Sequence, residues 1–179
     1  MAHAQQRQIL VQPEDTNLRL IPLTKGQHAV VDAHNYDRLM RRNWHAMFVR
    51  GCFYAVARSR KVDGFQPRIS ILMHREVLGI HPKDERHVDH RESGKTLLNT
   101  EANLRPCTQS QNQGNRIINR NNKSGLKGVF PARQNGRYIA SIGVSGVVKY
   151  LGTFDTKEQA HAAYMIEAIR RFGEFARAN

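Results

Sequence analysis

The chain has 179 residues, 40% of them hydrophobic, so it is long and apolar enough for one ordinary domain or two small ones and is not a disordered tail. Lys and Arg number 28 against 15 Asp and Glu, which gives a formal charge of +13. Because such an excess opposes compaction unless a polyanion shares the surface, nucleic acid is the first partner to consider.

The cysteines and the apolar runs indicate the compartment. Cys52 and Cys107 form no Cys-x-x-Cys pair, which argues against a disulfide framework or a thiolate zinc site and favours a reducing compartment. The segment Met1–Asp15 has no apolar run of signal-peptide length, and no run elsewhere is long enough to span a bilayer. We therefore expect a cytoplasmic protein that does not bind membranes.

Short strands and helices are predicted before residue 80. Strands are expected at 18–22, 29–31, 45–49, 53–57 and 68–73. Asp32 is a plausible N-cap for a helix between the second and third strands. The Asp63-Gly64 pair provides a turn, so the last three strands are predicted to form an antiparallel meander, followed by a short helix from His74 to Leu78.

Three strands and one helix are predicted after residue 124. The strands are expected at 128–133, 137–143 and 147–151, separated by the turn pairs Asn135-Gly136 and Ser145-Gly146. Thr156 begins a capping box, Thr-x-x-Gln, at the start of the helix. One face of that helix carries small and aromatic residues, namely Ala160, Ala163, Tyr164, Ala168 and Phe172.

The positive charge is concentrated in one stretch of the chain. Residues 102–154 hold eight basic residues and no acidic one, whereas residues 1–101 have a net charge of +5 and residues 155–179 are neutral. Asn and Gln make up 10 of the 24 residues from Asn99 to Asn122, which predicts a loop or linker at 115–123. We therefore place a domain boundary near Ser124.

A set of polar residues precedes this boundary and has the pattern of a chemical site. In chain order it comprises Val88-Asp89-His90, Asn99, Asn103-Leu104-Arg105, Thr108 and Gln111-Asn112. Together these elements resemble the HNH nuclease motif of phage and intron homing endonucleases. The segment from Leu18 to Ile80, which ends in Leu72-Met73-His74-Arg75, is similar to the segment that precedes the motif in that family.

The resemblance implies an α+β fold in which a ββα-metal nuclease core follows a small antiparallel meander. It further implies that Asp89 and Asn112 bind one divalent cation, that His90 is the general base, and that Asn103 braces the loop that orients His90. Carboxylate and amide oxygens are hard donors suited to Mg²⁺ or Mn²⁺. A neutral imidazole can take a proton from the attacking water.

Other interpretations of these residues remain open. His87 and His90 form an His-x-x-His pair that is typical of some metal sites. His74 can serve in packing or in a phosphate contact, and we leave it out of the catalytic set. Asn103 can be a helix cap, which is also compatible with a bracing role.

The C-terminal region resembles the plant ethylene-response-factor (APETALA-type) DNA-binding domain. The similar segments are Gly125–Val129, Tyr138–Ile142 and Tyr150–Thr156, followed by the Ala-rich helix. The resemblance implies a three-stranded antiparallel sheet that packs on one helix and lies in the major groove. The chain is therefore divided into a tail at 1–17, an HNH region at 18–123 with its motif at 74–115, and a DNA-binding domain at 124–179.

The predicted DNA contacts come from this sheet and its turns, and they are Lys127, Arg133, Arg137 and Lys149. Alternation in the middle strand puts Arg137, Ile139 and Ser141 on one face and the apolar Ala140 and Ile142 against the helix. Arg is suited to guanine and Lys to phosphate. The plant domain has tryptophans in place of Tyr138 and Tyr150, so its base preference does not transfer.

The sequence thus favours a metal-dependent, homing-type DNA endonuclease of a phage or mobile element, with duplex DNA as its partner and a bacterial host cytoplasm as its location. The alternative is a sequence-specific DNA-binding regulator with a degenerate nuclease core. A basic RNA-binding protein is a third interpretation, but the chain has no recognisable RNA-binding aromatic motif. The target site, the number of strands cut and the oligomeric state do not follow from the sequence.

Overall fold

The structure, a computed structural model, describes residues 9–60, 63–119, 121–133, 136–144 and 146–178. Its fold is α+β, with small antiparallel sheets and few helices, as predicted. The chain divides into two compact units, of which the first ends at Pro106 and the second begins at Cys107. The first eight residues of the predicted tail and the predicted turn residues Asn135 and Ser145 lie outside the described ranges. The predicted domain boundary near Ser124 stays a prediction.

The first unit is built from short strands and two helices. In chain order these are β1 (Leu18–Pro22), β2 (His28–Asp32), α1 (Ala33–Met40), β3 (His45–Val49), β4 (Cys52–Arg58), β5 (Ser70–Leu72), α2 (Met73–Val77), β6 (His87–His90) and β7 (Leu104–Cys107). β1 pairs antiparallel with β2, and the order β3-β4-β5 forms the predicted antiparallel meander. β5 is shorter than predicted because helix α2 begins at Met73.

The core of the first unit holds the strands on which the candidate site is built. Leu39 of α1 and Val31 of β2 are fully buried in it. Val88 of β6 and Leu104 of β7 belong to the same cluster, at 8% and 4% exposed. Burial of these apolar side chains fixes the position of both strands, and thus of the polar residues beside them.

The N-terminal hairpin also holds the segment that follows β6. Val30 of β2 donates its backbone N–H to the carbonyl of Leu97 at 2.9 Å, and its own carbonyl accepts from the N–H of Asn99 at 2.8 Å. Val30 and Leu98 form a parallel bridge. The segment 97–99 is therefore held by residues nearly 70 positions earlier in the chain.

The second unit consists of two helices and a three-stranded sheet. Its elements are α3 (Gln109–Gly114), β8 (Val129–Pro131), β9 (Tyr138–Val144), β10 (Val147–Phe154) and α4 (Lys157–Phe172). The sheet is antiparallel in the order β10-β9-β8, and Ala140 and Ile142 of β9 are buried in clusters shared with α4, as alternation predicts. Within the described residues, no helix has the length and apolar character needed to cross a membrane.

Close packing of α4 on the sheet depends on a glycine. A Cβ atom at Gly128 would lie 2.0 Å from the ring of Tyr164, and the backbone of Gly128 has a φ of +73°. β10 extends beyond the predicted Leu151 to Phe154, since a register shift between Tyr150 and Gly152 lets its second half pair with β9.

The predicted capping box at the start of α4 is present and should contribute to stability. The Thr156 hydroxyl accepts from the Gln159 N–H, and the Gln159 side chain accepts from the Thr156 N–H. Thr156→Ala should lower the free energy of unfolding by about 1 kcal/mol. Urea unfolding measures the change, with Lys157→Ala as the control at the next, exposed position. Equal effects of the two substitutions would argue against a stabilising cap.

Candidate functional site

Asp89 and His90, two consecutive polar residues of β6, are both buried, at 5% and 6% exposed. β6 forms a two-stranded sheet with β7. Because burial of a polar or charged group is costly unless it has partners, the surroundings of these two side chains define the site.

Asp89 forms a buried ion pair with Arg105 on β7. Both Nε and Nη2 of Arg105 lie 2.9 Å from Oδ2 of Asp89, and the two side chains are only 8% and 6% exposed. Two charge-assisted bonds compensate in part for taking both charges out of water. The pair fixes the Asp89 carboxylate and connects β6 to β7.

His90 lies among polar and aromatic side chains. Its Nε2 is 3.4 Å from Oδ1 of Asn99, and the His74 ring meets it edge-on with centroids 5.2 Å apart. Burial lowers the pKa of His90 below its usual 6.5, although the bond to Asn99 and the charge of Asp89 act in the opposite direction. The imidazole is therefore neutral near neutral pH, the form that accepts a proton.

His74 of α2 is a second buried imidazole next to His90. It is 7% exposed, and burial lowers its pKa to about 3, with smaller contributions from the charges of His90 and Arg75. His74 is thus neutral and packed, which favours the packing role left open by the sequence. Since its folded pKa is depressed, the unfolded chain binds more protons between about 3 and 6.5, and His74 reduces stability as the pH falls through that window.

Asn103 ties together both ends of the loop between β6 and β7. Its Oδ1 accepts from the N–H of Glu92 at 2.9 Å, and its Nδ2 donates to the carbonyl of Leu98 at 2.8 Å. Its backbone carbonyl also accepts from the N–H of Arg91 at 2.8 Å. These bonds reach the residue next to His90, which is the arrangement a bracing residue needs. The catalytic importance of Asn103 stays a prediction.

The structure thus brings Asp89, His90 and Asn103 together in the first unit. Asn112 lies on α3 in the second unit, where Thr108 forms a capping box with Gln111. The assignment of Asn112 as a metal ligand stays a prediction.

Sequence reasoning assigned no role to Arg105 or Asn99, which contact Asp89 and His90 directly. Both belong to the segment Asn99-x-x-x-Asn103-Leu104-Arg105 that carried the resemblance. The sequence held a signal for Arg105. A carboxylate buried in a strand, such as Asp89, needs a cation, and Arg105 directly follows the apolar Leu104 in the same motif. Asn99 gave no comparable signal, because its contact depends on how the loop folds.

The geometry of β6 does not favour the His-x-x-His interpretation. Residues three apart on a strand point to opposite faces, so the side chains of His87 and His90 diverge. His87 instead lines a separate cavity of about 250 Å³ together with Arg75 and Ile80.

One cluster of metal-ligand type is found among the described residues, and it lies elsewhere. Ligand atoms of Asp32, His34 and Glu101 lie within 4.8 Å of one another. His34 and Glu101 are exposed and already bond to each other at 2.9 Å. The cluster shares no residue with the predicted ligands.

The four predicted DNA contacts have different surroundings. Lys127 donates to the carbonyls of Gly114 and Arg116, and burial lowers its pKa to about 8. Lys149 bonds to Glu167 of α4 at 3.2 Å.

The two arginines among these contacts lie at the surface. Arg137 pairs with Asp155 at 2.9 Å, with both side chains largely exposed. Arg133 is exposed. Lys149 is as exposed as Arg137, at 50% and 46% of the side chain, although it bonds to α4. All four residues therefore stay predicted contacts.

Comparison with known proteins gives one informative likeness. The chain is 38% identical over 93 residues to a protein of Acanthamoeba polyphaga mimivirus named an uncharacterized HNH endonuclease. The match covers 52% of this chain and 46% of the viral protein, so it spans about half the length of that relative. No protein-family model and no solved structure matches the chain. The likeness supports a nuclease of the HNH type and says nothing about a DNA-binding domain of the plant type.

Proposed function

We propose that the chain is a metal-dependent DNA endonuclease of the HNH type whose C-terminal domain binds duplex DNA. The observation that carries the proposal is that β6 holds two buried polar groups in sequence, the neutral imidazole of His90 and the Asp89 carboxylate that Arg105 fixes. The likeness to the viral HNH protein supports the same class. A homing-type enzyme of a phage or mobile element is the form that the resemblance favours.

His90 would act as the general base of phosphodiester hydrolysis. The neutral ring takes a proton from a water molecule, the water oxygen attacks phosphorus, and the bond from phosphorus to the leaving deoxyribose oxygen breaks as that oxygen takes up a proton from solvent. Asn99 contacts one ring nitrogen and thus orients the ring. Asn103 keeps the loop after His90 in place through its bonds to Glu92 and Leu98.

Asp89 is the residue of the first unit that would hold a divalent cation. Its carboxylate is a hard donor of the kind that Mg²⁺ and Mn²⁺ prefer, so the donor chemistry fits such an ion. Oδ2 also bonds to Arg105, and a bound cation therefore shares the carboxylate with a guanidinium. When bound, the cation supplies Lewis-acid stabilisation of the charge on the phosphate and the leaving oxygen.

DNA binding by the C-terminal domain is supported by its charge. Within that domain, residues 124–154 hold four basic residues and no acid. Neutralising phosphates releases counterions, so binding should weaken steeply with salt.

A plasmid assay tests the proposed activity. Supercoiled plasmid should be nicked or linearised with Mg²⁺ or Mn²⁺ and should stay intact in EDTA. Asp89→Asn should abolish cleavage because an amide would hold the cation less strongly than the carboxylate does. Since this change also removes the charge that faces the buried Arg105, circular dichroism has to show that the variant is folded before its activity is compared. Asp84→Asn is the matched control, since Asp84 is a carboxylate in an exposed ion pair with Arg86. Cleavage in EDTA would contradict the metal dependence.

The second candidate function is a DNA-binding regulator with an inactive core. The observation that favours it is the engagement of Asp89 by Arg105, which competes with a cation for the carboxylate. The same assay separates the two candidates. A wild-type protein that shifts DNA in gels and leaves plasmid intact with either cation would support the regulator.

A further inference from the structure

The three-stranded sheet of the second unit has one face turned away from α4. Alternate residues of a strand point to opposite faces. Ala140 and Ile142 of β9 are buried against the helix, at 0% and 2% exposed, so Ile139, Ser141 and Gly143 point outward. We call this side of β8, β9 and β10 the outward face.

Large uncharged side chains cover the outward face. Cross-strand partners share a face, and the partners of the outward β9 residues are Phe130 opposite Ile139, Tyr150 opposite Ser141, and Val148 opposite Gly143. Phe130, Tyr150 and Val148 are 51%, 61% and 71% exposed. Exposed apolar side chains grouped in this way are typical of a binding surface.

The cations lie at the ends and edges of the outward face, and one of them is Arg137, which directly precedes β9 and shares the face of Ile139 by alternation. Lys149 is the single charged residue of the three strands, and because it is opposite the buried Ile142 it lies on the helix side, where it bonds to Glu167. Arg116 and Lys123 line a cavity of about 660 Å³ that reaches Phe130 and Val148 of the outward face and also Tyr164 of α4, so these cations lie at an edge of the sheet. The outward face is thus an apolar centre with basic residues at its margin.

We propose that the outward face binds the methyl groups of thymine in the major groove of duplex DNA. The inference rests on the proposed function, namely that this unit binds duplex DNA. The thymine methyl is the apolar group that base edges present in the major groove, and apolar side chains contact it. Phe130 and Val148 have the size and exposure for such contacts, while the marginal cations neutralise phosphates.

Charge favours DNA over a second copy of the chain as the occupant of this face. In the second unit, residues 107–154 contain seven basic residues and no acidic one, so two copies of the face would bring like charges together. Duplex DNA gains from the same charges. The face therefore selects thymine-rich sites through contacts with methyl groups. This recognition differs from the hydrogen bonds to guanine that the predicted Lys and Arg contacts would make.

The test compares duplexes that differ in the thymine methyl. The full-length protein in EDTA is titrated with equal-length A·T, A·U and G·C duplexes, and Kd is measured by fluorescence anisotropy. Since uracil lacks the methyl, the A·U duplex should bind about 4-fold more weakly for one lost contact and about 15-fold more weakly for two.

Two matched variants locate the effect. Val148→Ser should reduce the ratio of the A·U and A·T dissociation constants toward one. Ile166→Ser should leave the ratio unchanged, because Ile166 of α4 is equally exposed, at 71%, on a different surface. Both positions are at the surface, so neither change should unfold the protein.

Three results would overturn the inference. Equal affinity of the wild type for A·T and A·U duplexes contradicts the proposed methyl contacts but not the proposed DNA binding. Failure to bind any duplex removes the proposed DNA-binding function as well. If the protein dimerises, Val148→Ser abolishes the dimer, and DNA affinity does not depend on the thymine methyl, the face binds a second copy of the chain instead.

Discussion

Replacing His90 with alanine is expected to lower plasmid cleavage by about 10² to 10⁴-fold, the contribution of a general base. The imidazole is buried, and burial keeps it neutral, so no solvent-exposed group can substitute for it in the same position. Cleavage is measured as the initial rate of loss of supercoiled plasmid with Mg²⁺. His90→Gln, which keeps much of the side-chain volume, should lose activity to a similar extent.

The control for His90 lies on the same strand. His87→Ala should lose far less activity than His90→Ala, because alternation puts His87 on the other face of β6, which is the face of Asp89. Equal losses in the two variants would instead support the His-x-x-His metal pair. Circular dichroism of each variant separates loss of chemistry from loss of fold.

The pH profile provides a second signature of His90. Because burial lowers its pKa below 6.5, the fraction of active, neutral base is already at its maximum near neutral pH. The cleavage rate should therefore be constant from neutral pH upward and should fall on acidification, with its midpoint below 6.5. A midpoint above that value would contradict the assigned role.

Arg105→Met should be the most destabilising charge substitution at the candidate site, lowering the free energy of unfolding by about 3–5 kcal/mol. It removes the Arg105 guanidinium from the buried Asp89 carboxylate, whose side chain is 6% exposed, so the charge loses two of the bonds that compensate for its burial. The melting temperature should fall by roughly 6 to 20 °C. Urea unfolding followed by circular dichroism provides the measurement.

Two further variants show whether the ion pair is the cause. Arg86→Met breaks the exposed pair with Asp84 and should cost less than about 1 kcal/mol, since water already solvates both groups. The double variant Asp89→Leu/Arg105→Met should regain most of the lost stability, because an apolar pair of similar size has no charge to compensate. If Arg105→Met is no more harmful than Arg86→Met, the pair contributes little to the fold.

Local patterns predicted most of the elements, because short-range chemistry determines them. The Thr-x-x-Gln sequence at Thr156 specified a helix start, and alternation in β9 specified which side chains face α4. The element limits were less predictable. β10 is longer than its sequence indicated, since the register shift at Gly152 depends on pairing with β9.

The candidate site was predictable in its residue types and less so in its contacts. Asp89, His90 and Asn103 stood out as a motif, and the structure brings them together. The ion pair of Asp89 with Arg105 follows from the pairing of β6 with β7, which no local pattern reveals. In the same way, the sequence predicts Lys149 as a surface cation, which it is, and only the register of β10 shows that it lies on the α4 side of the sheet and bonds to Glu167.

The parallel bridge between Val30 and Leu98 has a consequence for the independence of the motif. The segment that presents Asn99 to His90 takes its backbone partners from β2, whose residues come from the far N-terminal side of the unit. A fragment that begins after β2 would contain every residue of the motif and lack the backbone that holds Asn99. The smallest part of this chain that keeps the geometry of the site is therefore the whole first unit. The motif segment moved into another protein would keep its chemical groups and lose their arrangement.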